Sequence, residues 1–189
     1  KLESFPEKEK VQLEFTKETT NEGFATVAKL PWLGEVLLRS EKVTDISALT
    51  KLTKLHKFDA YASSGVTSVR GFEALTELTE LSLYMTKVAD IAPLAKLTKL
   101  ERLDLYATGV TDIAPISGLT NLKLLNLYMV KVKDWAPVAN LVNLEDVWIQ
   151  FSDLKDLKIF AKATRMKKMR ASWCKDLTDI RALANMPLL

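Results

Sequence analysis

The sequence of 189 residues predicts an α/β repeat solenoid, with a curved parallel sheet on the concave face and short helices or 3-10 turns on the convex face. Three observations predict it. A unit of about 22 residues recurs along most of the chain. Within each unit apolar residues alternate, as at Leu81 and Leu83, which is the period of a short strand with those side chains inward. One such unit cannot bury its own apolar face, so neighbours must stack and their strands run parallel.

The units follow in order. "LTELTELSLYMTKVADIAP" runs from Leu75 to Pro93, "LTKLERLDLYATGVTDIAP" from Leu97 to Pro115, and "LTNLKLLNLYMVKVKDWAP" from Leu119 to Pro137, each starting 22 residues after the last. The next unit, Leu141–Ile159, keeps the frame and drops the Pro. Two flanking units, Leu52–Val69 and Ala163–Ile180, stretch by one residue. Upstream, Leu30–Ile46 aligns through Leu33, Val36, Leu38 and Val43, and Leu13 and Phe15 stand one period earlier. The expected organisation is an N-terminal capping region over 1–29 and about seven repeats over 30–189, the last incomplete at Leu183–Leu189.

The frame L-x-x-L-x-L-x-x-x-x-V-x-D-I-x-P, with the ending D-I-A-P at Asp90–Pro93 and Asp112–Pro115, resembles the leucine-rich repeat family, and within it the internalin-like bacterial subclass. The resemblance implies a recognition module rather than an enzyme, with a protein partner on the concave face. It also implies an Asn ladder three residues after the last strand Leu. That place here holds Thr86, Thr108, Val130, Ser152 and Cys174, so no regular ladder is expected.

Alternation sorts the remaining strand residues into concave columns. One holds Glu35, Lys57, Glu80, Arg102, Leu124, Asp146 and Lys168; the next holds Leu37, Asp59, Ser82, Asp104, Asn126, Trp148 and Arg170. A third runs Arg39, Tyr61, Tyr84, Tyr106, Tyr128, Gln150 and Ser172, and a fourth, at the strand exit, includes Met85, Met129, Phe151 and Trp173. At about 4.8 Å between strands the four tyrosines make a stripe roughly 15 Å long. Two readings fit it. Like rings stabilise neighbouring strands by packing, and rings with an apolar face and a polar tip make a binding platform. The extra apolar groups Met85, Met129, Phe151, Trp148 and Trp173 favour the platform, because an exposed apolar surface of that size marks an interaction site. Arg102, Asp104, Lys168 and Arg170 are the charges expected to set partner choice and orientation.

Other patterns read as structural. Asp45, Asp90, Asp112, Asp134, Asp156 and Asp179 each precede an apolar residue, and Pro93, Pro115 and Pro137 follow in three units. That is a helix-start pattern, in which the carboxylate accepts from free backbone N–H groups. Trp135 is expected in the core, Trp32 over the N-terminal end, and Cys174 buried and inert. His56 shows no acid/base partner in the sequence.

The function classes narrow accordingly. No phosphate-cradling glycine loop, Cys/His metal spacing or nucleophile motif occurs, so neither catalysis nor a cofactor is expected. Net charge is +3, although Lys155–Arg181 holds nine basic residues against three acidic ones. Asp59, Asp104 and Asp146 on the concave face argue against nucleic acid. No apolar run approaches a membrane span. A single Cys excludes an internal disulfide and leaves the compartment open, and a chain that starts at Lys1 reads as processed or trimmed. An exported or cell-surface bacterial protein is slightly favoured. The expected function is protein binding through an aromatic concave face, with a carbohydrate platform on the tyrosine stripe as the alternative.

Overall fold

The computed structural model describes residues 11–189. Eight strands form one parallel sheet in sequence order: β1 (Gln12–Phe15), β2 (Glu35–Leu38), β3 (Lys57–Asp59), β4 (Glu80–Ser82), β5 (Arg102–Asp104), β6 (Leu124–Asn126), β7 (Asp146–Trp148) and β8 (Lys168–Arg170). The register aligns the inward residues of successive units, Leu81 with Leu103, Leu103 with Leu125, Leu125 with Val147 and Val147 with Met169. Leucines of the frame are therefore stacked on their own equivalents. Leu81, Leu103 and Leu125 are each at most 2% exposed.

The return path of each unit carries a 3-10 turn, such as Ala92–Lys96, Ala114–Gly118 and Ala136–Asn140, with Pro in its first turn where an N–H is not needed. The aspartates hold these turns. Asp45, Asp90, Asp112, Asp134, Asp156 and Asp179 each accept, through Oδ1, the backbone N–H two residues on, at 2.8–3.0 Å. Each of the six carboxylates thus closes an Asx turn that leads into its 3-10 turn.

Residues 1–10 of the expected N-terminal cap lie outside the described residues. The rest of it forms β1 and the short helix α1 (Asn21–Ala25), whose Phe24 is fully buried and meets Phe15 edge-on at 4.9 Å. The Asn-ladder column is irregular. Ser63 Oγ donates to Leu38 O of the preceding unit at 2.9 Å, and Cys174 Sγ reaches Ile149 O at 3.2 Å. Thr86 and Thr108 donate only to carbonyls of their own turn, and Val130 is buried without a polar group to offer. Three expectations need correction. Cys174 is half-buried rather than buried, its thiol 3.1 Å from Ser152 Oγ. Trp135 only partly enters the core and donates Nε1–H to Asp153. His56 has an acidic neighbour after all, Glu35 at 3.4 Å.

Candidate functional site

Each strand ends before the tyrosine. Leu83 O accepts from Thr86 N at 3.0 Å, so Tyr84 and Met85 are the two central residues of a turn, and the pattern repeats at Tyr106 and Tyr128. The tyrosine column therefore stands on the rim that follows the sheet, not on the strands themselves. The second turn residue is left-handed in six consecutive units: Ala62, Met85, Ala107, Met129, Phe151 and Trp173 have φ between 50° and 62°. That conformation aims the residue's N–H at the next unit. Ala62, Met85 and Ala107 donate to Tyr84 O, Tyr106 O and Tyr128 O at 2.8–3.0 Å. The turns are thereby stitched into one rim.

Side chains of the second concave column brace the tyrosines from below. Asp59, Asp104 and Asn126 accept from the backbone N–H of Tyr61, Tyr106 and Tyr128 at 2.9–3.0 Å. Burial pushes the Asp104 carboxyl above its usual range, against the lowering pull of the Tyr106 N–H and the Asn126 side chain. The predicted specificity residue Asp104 thus already has a structural task.

The rings form a longer row than the stripe of four. Tyr61 stacks on Tyr84 with centroids 4.4 Å apart, and Tyr84 on Tyr106 at 4.3 Å. Tyr106 meets Tyr128 edge-on at 4.7 Å, and the row continues to Phe151 at 5.7 Å and from there to Trp173 at 5.9 Å. The aromatic residue moves from the first to the second turn position where Gln150 and Ser172 replace tyrosine. Burial within the row, with Tyr106 and Tyr61 on either side, pushes the Tyr84 phenol up to about 12. Tyr84, Tyr106 and Tyr128 are half-buried by one another. Exposed apolar surface sits instead at Tyr61 (47%), Met85 (47%), Met129 (50%), Phe151 (50%) and Trp173 (69%).

On the strands, Trp148 and Arg170 come together around a residue to which sequence reasoning gave no role. Asp146 Oδ1 accepts from Trp148 Nε1 at 2.9 Å and from Arg170 Nη1 at 2.6 Å, while the Arg170 guanidinium lies 4.2 Å over the Trp148 ring. The contact runs diagonally between columns, since Asp146 is level with Lys168 and Arg170 with Trp148. Arg102 and Lys168 are exposed and enter no ion pair among the described residues. A concave cavity of about 330 Å³ is lined by Lys57, Glu80, Arg102, Leu124, Asn126 and Trp148, among others. Among the described residues no cluster of His, Cys, Asp and Glu could hold a metal ion, and no helix is long and apolar enough to cross a membrane.

A crystal structure of an internalin (inlF) from Listeria monocytogenes matches 100% of this chain and 53% of its own, at 30% identity and TM-score 0.81. A second, internalin C2 (inlC2) from the same organism, is 26% identical over 94% of this chain and 77% of its own, again with TM-score 0.81. The chain is an internalin-like leucine-rich-repeat solenoid. It spans about half the length of the first of these structures. A mouse RP105/MD-1 complex shares the fold at 19% identity and TM-score 0.71, over 94% of this chain and 33% of the other. No protein-family model and no curated protein matches the sequence. The internalin-like solenoid is thus placed by its structure and by the repeat pattern that produces it. Its internalin neighbours support a protein-interaction module in general.

Proposed function

We propose that this solenoid is a non-enzymatic recognition module that binds a protein partner along its aromatic row and the concave face beside it. One observation carries the reading. At six successive turns the left-handed position is filled by a residue other than glycine, and at four of them by Met85, Met129, Phe151 or Trp173, all exposed. A non-glycine residue held there costs on the order of 1–3 kcal/mol of strain. Leaving its apolar side chain in water then forgoes the gain of burial. A partner lying on the row removes that second cost. The mouse neighbour was solved as a complex, which supports a protein partner here.

In this reading the anchors are the exposed members of the row and not its stacked centre. Tyr84 and Tyr106 spend ring faces on each other and offer edges, whereas Tyr61, Met129, Phe151 and Trp173 offer most of the free surface. A sugar ring needs an open aromatic face, and the close stacking of Tyr61, Tyr84 and Tyr106 leaves few, so the protein reading is preferred over the carbohydrate one. The likeness to Listeria internalins supports an exported or cell-surface setting. The test compares wild type with a Met129→Ser, Phe151→Ser, Trp173→Ser triple as baits in a lysate, both checked for fold by circular dichroism. Loss of the wild-type partners from an equally folded triple supports the reading, and unchanged capture overturns it.

A further inference from the structure

We propose that the C-terminal half of the concave sheet receives an extended acidic segment of the partner, of the form acidic–x–apolar–x–acidic. Its two carboxylates meet Arg102 and Lys168, and its apolar side chain lies over Leu124 and Trp148. The proposal rests on the protein-binding reading above and names the chemistry of the partner.

The first support is the pairing of charges. Lys57 bridges Glu35 and Glu80 at 4.0 and 3.7 Å, Arg39 holds Asp59 at 2.8 Å, and Arg170 holds Asp146 at 2.6 Å. At the strand entry Glu101 pairs with Lys123 and Glu145 with Lys167. Of the carboxylates on β2–β8 only Asp104 makes no ion pair among the described residues; it is half-buried, with one oxygen committed to the Tyr106 N–H, and feels the charge of Arg102 on its own strand. On β5–β8, the half of the sheet concerned here, the cations that make no ion pair among the described residues are Arg102 and Lys168.

The second support is spacing. Arg102, Leu124, Asp146 and Lys168 occupy one register column on β5–β8. Three strand separations place the two cations about 14 Å apart. An extended chain rises about 3.3 Å per residue and returns a side chain to the same face at every second residue. Residues i and i+4 then stand about 13 Å apart, both facing the sheet, with i+2 midway. Midway falls between β6 and β7, where Leu124 and Trp148 line the same cavity as Arg102. Asp146, which shares that column, does not repel the segment, because Arg170 and the Trp148 indole already meet its charge.

The experiment measures fluorescence anisotropy with the whole chain and labelled Gly-Glu-Ser-Phe-Ser-Glu-Gly, against the same peptide with Lys in place of Glu. The acidic peptide is expected to bind on the order of tenfold more tightly than the basic one, and Arg102→Glu with Lys168→Glu is expected to abolish or invert that preference. A Lys87→Glu, Lys131→Glu double makes the same charge change at exposed residues outside the strands and is expected to bind like wild type. Thermal melts establish that both doubles are folded. Equal binding of the two peptides, no binding of the acidic one, or indifference to the Arg102/Lys168 reversal overturns the proposal. If it falls while partner capture still depends on Met129, Phe151 and Trp173, the acidic segment alone is discarded and the wider reading stands.

Discussion

The two ends of the aromatic row are built on different terms. Between Tyr61 and Tyr106 the rings lie within 15° of parallel and 4.3–4.4 Å apart, and the middle tyrosines are half-buried by their neighbours. At the other end Phe151 and Trp173 are also near parallel, yet 5.9 Å apart and 50% and 69% exposed. The core beneath follows the same gradient. Leu103 is fully buried between β4 and β6, while Met169 on β8, which pairs only with β7, is half-buried. One repeated motif therefore does two jobs. Where neighbours press from both sides, its rings serve mainly to pack; where they loosen, the same kind of side chain becomes free surface. In a solenoid whose stability sums over adjacent units, the loosely packed end can carry binding groups at the smallest cost to the fold.

The sharpest way to break this contrast is in the core. Leu103→Ala is expected to cost about 3 kcal/mol, as a buried leucine with residual cavity. Met169→Ala is expected to cost about 1 kcal/mol, since that side chain is partly exposed and its strand has a neighbour on one side only. Urea unfolding of the two variants measures both, and equal losses would erase the gradient.

The rings make the next test. Tyr84→Ala removes two stacked pairs and is expected to cost about 1–2 kcal/mol, against less than about 0.5 kcal/mol for Trp173→Ala. The Tyr84 phenol adds a pH signature. Its folded pKa is raised from 10 to about 12, so the neutral form is the favoured one. Stability from this group is full below pH 10 and is lost as pH rises toward 12. Ultraviolet titration of the folded chain should show a phenol ionising late, and Tyr84→Phe should remove it.

The fold was legible because its signals are local and repeat. Leu81 and Leu83 specify a strand by alternation, and Asp112 before Ile113 and Pro115 specifies a turn held by its carboxylate; both behave as expected. Concave columns were legible as sets for the same reason. What escaped depends on how side chains of adjacent units meet in space. Asp146 meets Arg170 diagonally, one column over on the adjacent strand, with the Trp148 ring beside them. Phe151 and Trp173 join the tyrosine row only because the left-handed turn position projects beside the first one. Gln150 and Ser172, breaking the tyrosine column just where aromatics enter the next, were the available hint.

Turn strain offers a smaller effect that separates packing from binding. Met129→Gly and Ala107→Gly each place at a left-handed position the residue that suits it. Each is expected to gain up to about 1 kcal/mol in thermal or urea unfolding, less the added freedom of the unfolded chain. Under the proposed function only Met129→Gly also weakens partner capture, because Ala107 presents no large apolar group. If both variants lose stability, the left-handed turns are not strained and that support for the binding row disappears.

The smallest effect concerns the carboxylate beneath Tyr106. Asn126 occupies the equivalent place beneath Tyr128, is 2% exposed, and makes the same bond to the tyrosine N–H. Asp104→Asn should keep its own copy of that bond. Because burial raises the Asp104 pKa above 3.8, the folded state holds this proton longer than the unfolded state does. Stability from Asp104 is therefore full below its unfolded pKa and declines as pH rises through its folded one. Asp104→Asn is expected to match wild type in acid and to melt slightly higher near neutral pH, where wild type must bury a charge. A lower melting temperature near neutral pH would instead mean that the ionised carboxylate helps to hold the turn. In that case Asp104, and not only its geometry, belongs to what keeps Tyr106 in the row.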